Sequence, residues 1–191
     1  EHYGEIITSG PCVMQGYFDA AQANDEIFTP NGELRTGDMG RIDEDGFLWI
    51  TGRVKEQYKL ENGKYVVPSA LEKVIANSPL IELAVILGEG RPYNVALIQP
   101  NAEFMDKFKA EHALHNASVE ELEQNTKLRE LMHEEIQKAS KDFRGYERPQ
   151  KFAITLDEFS IHNNMLSPSL KVKRHEVEKK FASLISSLYQ N

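Results

Sequence analysis

Three stretches combine residue types suited to work on phosphorylated substrates. In Leu34-Arg35-Thr36-Gly37-Asp38, Gly37 permits close backbone approach and Asp38 offers a carboxylate just before a strand. A carboxylate is a natural acceptor for paired ribose hydroxyls, although Thr-Gly-Asp alone also reads as a structural turn. In residues 52–68, Arg53, Lys55, Lys59 and Lys64 supply cations that could reach phosphate, and the Asn62-Gly63 turn exposes bare backbone amides. The third stretch, Leu166-Ser167-Pro168-Ser169-Leu170-Lys171-Val172-Lys173-Arg174, is a polar loop that delivers a lysine just before the last helical segment. Lysine is a compact charge on a flexible stem, suited to follow charge as it develops on a phosphoryl or carboxylate oxygen.

The elements that must position these groups can be read from pattern. Glu5-Ile6-Ile7-Thr8 leading into Cys12-Val13-Met14, then Gly40-Arg41-Ile42 and Phe47-Leu48-Trp49-Ile50 around Asp45-Gly46, predict antiparallel sheet through about residue 53. A second hairpin pairs Gln57-Tyr58-Lys59-Leu60 with Lys64-Tyr65-Val66-Val67 through Asn62-Gly63. Pro68 stops it, and Ser69 with Glu72 predicts a capping box for a helix turning Leu71, Val74 and Ile75 inward. Strands over residues 82–87 and 94–99 have consecutive apolar positions, as expected for burial on both faces. Residues 101–141 turn helical, with Phe104, Met105 and Phe108 in one stretch. Ser118 and Glu121 cap a second, which buries Leu128, Leu131, Met132 and Ile136. A strand over residues 151–156 follows, and Val177, Phe181, Leu184, Ile185 and Leu188 mark a final amphipathic helix. The expected class is α+β: a small mixed sheet with flanking helices over residues 55–191. Ahead of it, residues 1–54 are expected to be the antiparallel β-rich edge of a larger N-terminal domain.

Composition bounds the function. The chain has 191 residues, enough for one domain plus a piece of another, and 27% charged residues with no long uncharged run exclude a membrane span. A formal charge of −8 argues against nucleic-acid binding, which requires a basic surface to displace counterions. The cationic run Lys171, Lys173, Arg174, Lys179 and Lys180, against Glu176 and Glu178, still leaves one end able to meet an anion. Cys12 has no cysteine partner for a disulfide or zinc, which favours the cytoplasm and a filler role in a strand, and no metal ligand set is assigned. Glu1 opens on a strand-like segment without an initiator Met or signal peptide, so the chain is expected to be a fragment.

The order and spacing of these clusters resemble the adenylate-forming superfamily of acyl-CoA synthetases, carrier-domain adenylation modules and luciferases. Gly4-Glu5-Ile6 and Gly16-Tyr17-Phe18 precede Gly32-Glu33-Leu34-Arg35-Thr36-Gly37-Asp38 in that family's order. The stretch from Lys59-Leu60-Glu61-Asn62-Gly63 to Pro68, with Tyr146-Glu147-Arg148 and the Lys171 loop, resembles the long-chain fatty acyl-CoA synthetase branch. The resemblance implies that Asp38 holds the ribose hydroxyls of ATP and acyl-AMP, that Arg53 also contacts nucleotide, and that Lys55 is the hinge to a C-terminal lid. Gly63 and Lys64 would belong to the turn on the CoA side, and Lys171 would be the adenylation lysine. At that last position the family pattern Asn-Gly-Lys-x-x-Arg is altered, with Ser169 and Leu170 replacing Asn and Gly and Lys173 close by. Implied substrates are a fatty acid, Mg2+-bound ATP and CoA, and the implied partner is the protein's own N-terminal domain, without which the chain is expected to be inactive. The location implied is cytoplasmic, with peripheral contact at the inner face of a membrane left open. A fatty acyl-AMP ligase acylating a carrier protein, and a non-catalytic ligand-binding lid module, are the rival readings.

Overall fold

The computed structural model describes residues 2–190, so Glu1 and Asn191 lie outside the described residues. The chain divides into two compact units, one ending at Gln57 and the other starting at Tyr58.

In the first unit, β1 (His2–Thr8), β2 (Leu34–Ile42) and β3 (Leu48–Arg53) form an antiparallel sheet in the order β1-β2-β3. Asp43 holds the β2–β3 turn. Its carboxylate accepts the N–H groups of Phe47 at 2.8 Å and Asp45 at 3.1 Å, and the Trp49 indole N–H at 2.6 Å. The indole bond in particular lowers the Asp43 pKa from its ordinary value. Two sequence expectations are corrected. Cys12 is exposed and lies in a turn, not in a strand, because the chain leaves the sheet at Thr8. A helix, α1 (Ala21–Ile27), occupies a region without a predicted element; it buries no residue, so no apolar stripe announced it.

The second unit begins with a short hairpin of β4 (Tyr58–Lys59) and β5 (Tyr65–Val66), followed by α2 (Pro68–Ile75). Its centre is a sheet in the order β6-β7-β8, in which β6 (Ile81–Leu87) runs antiparallel and β8 (Pro149–Ile154) parallel to β7 (Asn94–Pro100). The helices α3 (Ala102–Glu111), α4 (Val119–Glu123) and α5 (Thr126–Ser140) link β7 to β8, and α6 (Arg174–Lys180) and α7 (Ala182–Leu188) close the chain. This is the mixed α+β arrangement expected. Alternation along β6 and β7 separates two cores. Ala84, Ile86, Ala96 and Ile98 join residues of α2, α3, α4 and α5, while Val85, Leu87, Val95 and Leu97 join Phe159, Met165, Val177, Phe181 and Ile185.

Helix boundaries depart from the sequence reading in three places. Pro68 takes the first helical position, where its missing N–H costs nothing, so Ser69 falls inside the helix; the expected capping box is absent, and Val74 faces outward at 39% exposure. The second helical stretch breaks at Asn125, whose side chain accepts from Leu128 N–H at 3.0 Å and starts α5 afresh, leaving the Ser118–Glu121 capping box on α4 alone. The last helix is interrupted at Phe181 (φ −99°, ψ 21°), where the ring stacks on Phe159, yet the apolar stripe continues through both halves.

Two polar knots fasten this unit. Asn94 is fully buried; it accepts from the Tyr58 hydroxyl at 2.7 Å and donates to the carbonyls of Glu147 at 2.9 Å and Tyr146 at 3.0 Å. Burial pushes the Tyr58 hydroxyl well above its ordinary pKa, so it stays a donor. At the other knot the single proton of the Tyr189 hydroxyl is shared between the carbonyls of Tyr93 (3.1 Å) and Leu87 (3.3 Å), and burial pushes its pKa up to about 12. Asn94→Ala strands one hydroxyl and two carbonyls and is expected to cost about 2–4 kcal/mol in equilibrium urea unfolding; a loss below about 1 kcal/mol would contradict this. For Tyr189 the folded pKa lies above the unfolded value of about 10, so its contribution is complete below that pH and disappears as pH rises through the folded value. Tyr189→Phe should therefore lessen the fall of stability between about pH 10 and about pH 12, and an unchanged slope would contradict the assignment.

Candidate functional site

In the first unit the structure brings Asp38 and Arg53 together. They are register partners across β2 and β3, and Arg53 Nε lies 2.9 Å from Asp38 Oδ1, with the side chains 56% and 27% exposed. The turn before Asp38 is held by polar contacts to β1. The Thr36 hydroxyl donates to the Ile6 carbonyl at 2.7 Å and accepts Asp38 N–H at 3.1 Å, while Glu5 takes Gly37 N–H at 3.3 Å and pairs with Arg35 at 3.0 Å. Gly37 has φ +71°, which a side chain would resist. The second Asp38 oxygen accepts no hydrogen bond from the described residues, and so can receive hydroxyls while Arg53 fixes the first. Lys55 follows, exposed, in a 3₁₀ turn, Val54–Glu56, whose other two residues are half-buried.

In the second unit the β4–β5 turn carries Gly63 at φ +83°, closed by Gly63 N–H to the Leu60 carbonyl and Leu60 N–H to the Lys64 carbonyl, both at 2.9 Å. The hairpin is tied to the β6–β7 turn through Gly90 N–H to the Lys59 carbonyl (2.9 Å) and Glu61 N–H to the Arg91 carbonyl (3.0 Å). Exposed Gly63 and Lys64 therefore sit on a fixed base, with the Lys64 ammonium 5.7 Å from the Tyr146 ring centre.

Lys171 lies on a tight antiparallel turn closed by the Leu166–Val172 bridge and by Lys173 N–H to the Met165 carbonyl at 2.8 Å. Ser167 organises the tip: its hydroxyl accepts Lys171 N–H at 3.0 Å, its carbonyl accepts Leu170 N–H at 2.8 Å, and its N–H meets the Lys171 carbonyl at 2.8 Å. Leu170 has φ +58°, so the backbone keeps the left-handed form at the position where the sequence pattern has lost its glycine. The neighbouring lysines differ. The Lys173 ammonium donates to Asn164 Oδ1, whereas Lys171 is exposed and its ammonium has no partner among the described residues.

Sequence reading missed the groups that anchor this turn. Glu72, expected to cap α2, instead accepts Ile86 N–H at 2.8 Å and pairs with Arg174, which donates from Nε to the Ile86 carbonyl at 3.2 Å. The only sequence signal was a carboxylate inside a helix and an arginine at the next helix start, too far apart to be paired by local rules. The rest of the cationic run is also partly engaged, with Lys180 at 2.7 Å from Asp157. Among the described residues no cluster of three or more His, Cys, Asp and Glu could hold a metal ion, and no helix is long and apolar enough to cross a membrane.

Residues 55–191 match the family model for the AMP-binding enzyme C-terminal domain. The chain is 37% identical over 187 residues to the long-chain-fatty-acid–CoA ligase FadD15 of Mycobacterium tuberculosis, covering 97% of this chain and 31% of that protein. It is 34% identical over 191 residues to long-chain-fatty-acid–CoA ligase 5 of Rattus norvegicus, covering 98% and 28%. Among solved structures, the A-PCP didomain of carboxylic acid reductase from Segniliparus rugosus, in complex with AMP, superposes with a TM-score of 0.76 at 25% identity, over 98% of this chain and 25% of that one. The chain thus spans less than a third of the length of each of these proteins. By the family match over residues 55–191, with its fold and relatives in accord, this chain belongs to the AMP-binding enzyme C-terminal domain family.

Proposed function

We propose that this chain is the C-terminal part of a long-chain fatty acid–CoA ligase, supplying the mobile lid with its adenylation lysine, Lys171, and the nucleotide-contacting pair Asp38 and Arg53. The observation that carries the reading is the contrast between two lysines on one turn: Lys173 is committed to Asn164, while the ammonium of Lys171 stands exposed and unpartnered among the described residues. Relatives of 37% and 34% identity named as long-chain-fatty-acid–CoA ligases support the substrate class. Exposed Ile42, Leu48 and Ile50 on the first sheet support packing against a larger N-terminal domain.

In this reading a fatty carboxylate attacks the α-phosphorus of ATP, forming the acyl–phosphate bond and releasing pyrophosphate; the thiol of CoA then displaces AMP and gives the thioester. The first step presses two anions together. A cation placed between them stabilises the charge gathered in the transition state, an effect of about 3–4 kcal/mol for a single well-placed donor. Asp38 receives the ribose hydroxyls, and Arg53 holds that carboxylate in orientation through its Nε. Magnesium would belong to the ATP substrate, where it would supply charge neutralisation of the phosphates. Rotation about Lys55 withdraws the Lys171 turn after adenylation and presents Gly63 and Lys64 to CoA, so one lid serves both half-reactions. The location proposed is the cytoplasm, with contact at the inner membrane face where long acyl chains partition.

In the intact ligase, Lys171→Ala is expected to slow acyl-AMP formation about 10²–10³-fold, while Lys173→Ala stays within about threefold and thioester formation from supplied acyl-AMP is spared. Pyrophosphate release and product quantification measure the two halves, and an equal loss in both refutes the role of Lys171. Asp38→Ala should raise KM for ATP about tenfold or more; an unchanged KM removes Asp38 from the nucleotide site.

A further inference from the structure

The edge of the central sheet carries a device that neither the family match nor the relatives assign. Strand β6 has a free edge, and at Ile86 both outward backbone groups are taken by side chains: N–H by the Glu72 carboxylate at 2.8 Å and C=O by Arg174 Nε at 3.2 Å. The same Glu72 oxygen pairs with Arg174 Nη2, which closes a ring of three interactions. Glu72 and Arg174 are only 15% and 24% exposed, so the pair is shielded from much of the screening that weakens surface ion pairs. Glu72 comes from α2, which packs in one core, whereas the Lys171 turn contributes Met165, Leu166 and Val172 to the other. The ring therefore reaches around the strand edge and joins the two layers at one residue.

Arg174 opens α6 and stands three residues after Lys171. Between them the backbone is already fixed by Lys173 N–H to the Met165 carbonyl and by the Leu166–Val172 bridge. We propose that Glu72 is a positioning residue for Lys171: through Arg174 it fixes the base of the Lys171 turn to the edge of β6, and so sets where the ammonium stands. This rests on the reading of Lys171 as the adenylation lysine. Glu72 touches no reacting atom. Its carboxylate is needed in ionised form because the neutral amide of glutamine can still accept Ile86 N–H but holds Arg174 only weakly.

The test uses the intact ligase with Glu72→Gln, Lys171→Ala and the double variant, and reads each half-reaction separately. Glu72→Gln is expected to lower kcat for acyl-AMP formation about tenfold, with KM for ATP and thioester formation from supplied acyl-AMP each within about twofold. In the Lys171→Ala background it should add less than about a twofold further loss, because its effect passes through the lysine. Glu72→Asp, which keeps the charge, should recover part of the rate. Hydrogen exchange at the amides of residues 170–173 should quicken about tenfold in Glu72→Gln, which reads the clamp without reference to catalysis. Equal losses in both half-reactions, or a full further loss in the Lys171→Ala background, would make Glu72 a merely structural residue and overturn the proposal. Unchanged exchange would overturn it as well. If exchange quickens but Lys171→Ala retains full adenylation, the reading of Lys171 fails instead, and the two failures are told apart.

Discussion

The second unit depends on one constraint: a three-stranded sheet buried on both faces must have its exposed edge satisfied by something other than another strand. At Ile86 that something is the Glu72–Arg174 ion pair, which offers an acceptor and a donor where a neighbouring strand would offer a carbonyl and an amide. Because the two side chains come from opposite layers, satisfying the edge also joins the layers. A single polar contact thereby links the packing of α2, the start of α6 and the turn carrying Lys171.

The β4–β5 hairpin is held by a different means to the same sheet. Asn94, at the start of β7, gathers the Tyr58 hydroxyl and two carbonyls of the segment before β8. Both proposed working turns, around Gly63 and Lys171, thus grow from a rigid base while their tips stay exposed. That division suits a lid proposed to exchange one turn for the other: rigid-body rotation can move the tips without deforming them. Leu170, held at positive φ, fits the same logic, since local strain persists only where the surrounding hydrogen bonds, here those of Ser167, over-determine the backbone.

Much of this was legible in the sequence. Consecutive apolar residues in β6 and β7 announced burial on both faces, and Asp45-Gly46 and Asn62-Gly63 marked turns that the backbone adopts with Gly46 at φ +84° and Gly63 at φ +83°. Local rules failed where a residue was claimed by a distant partner. Ser69 and Glu72 have capping-box spacing, yet Pro68 moved the helix start and Arg174 and Ile86 claimed the carboxylate. Phe181 lies in the apolar stripe as expected, but its stacking on Phe159 accompanies a break in the helix that periodicity cannot register. At the candidate site the Asp38–Arg53 pairing follows from strand register, whereas the distinction between Lys171 and Lys173 needed Asn164, a residue outside any motif.

The central claim is that the Lys171 ammonium meets the developing charge of adenylation. It is tested most directly by a crystal structure of the intact ligase bound to a non-hydrolysable acyl-sulfamoyl analogue of acyl-AMP. The account predicts Lys171 Nζ within about 3 Å of an oxygen at the acyl–sulfamoyl junction, with Arg174 still on Glu72. Lys171 left in solvent, with Lys173 or another cation at that junction, would contradict it.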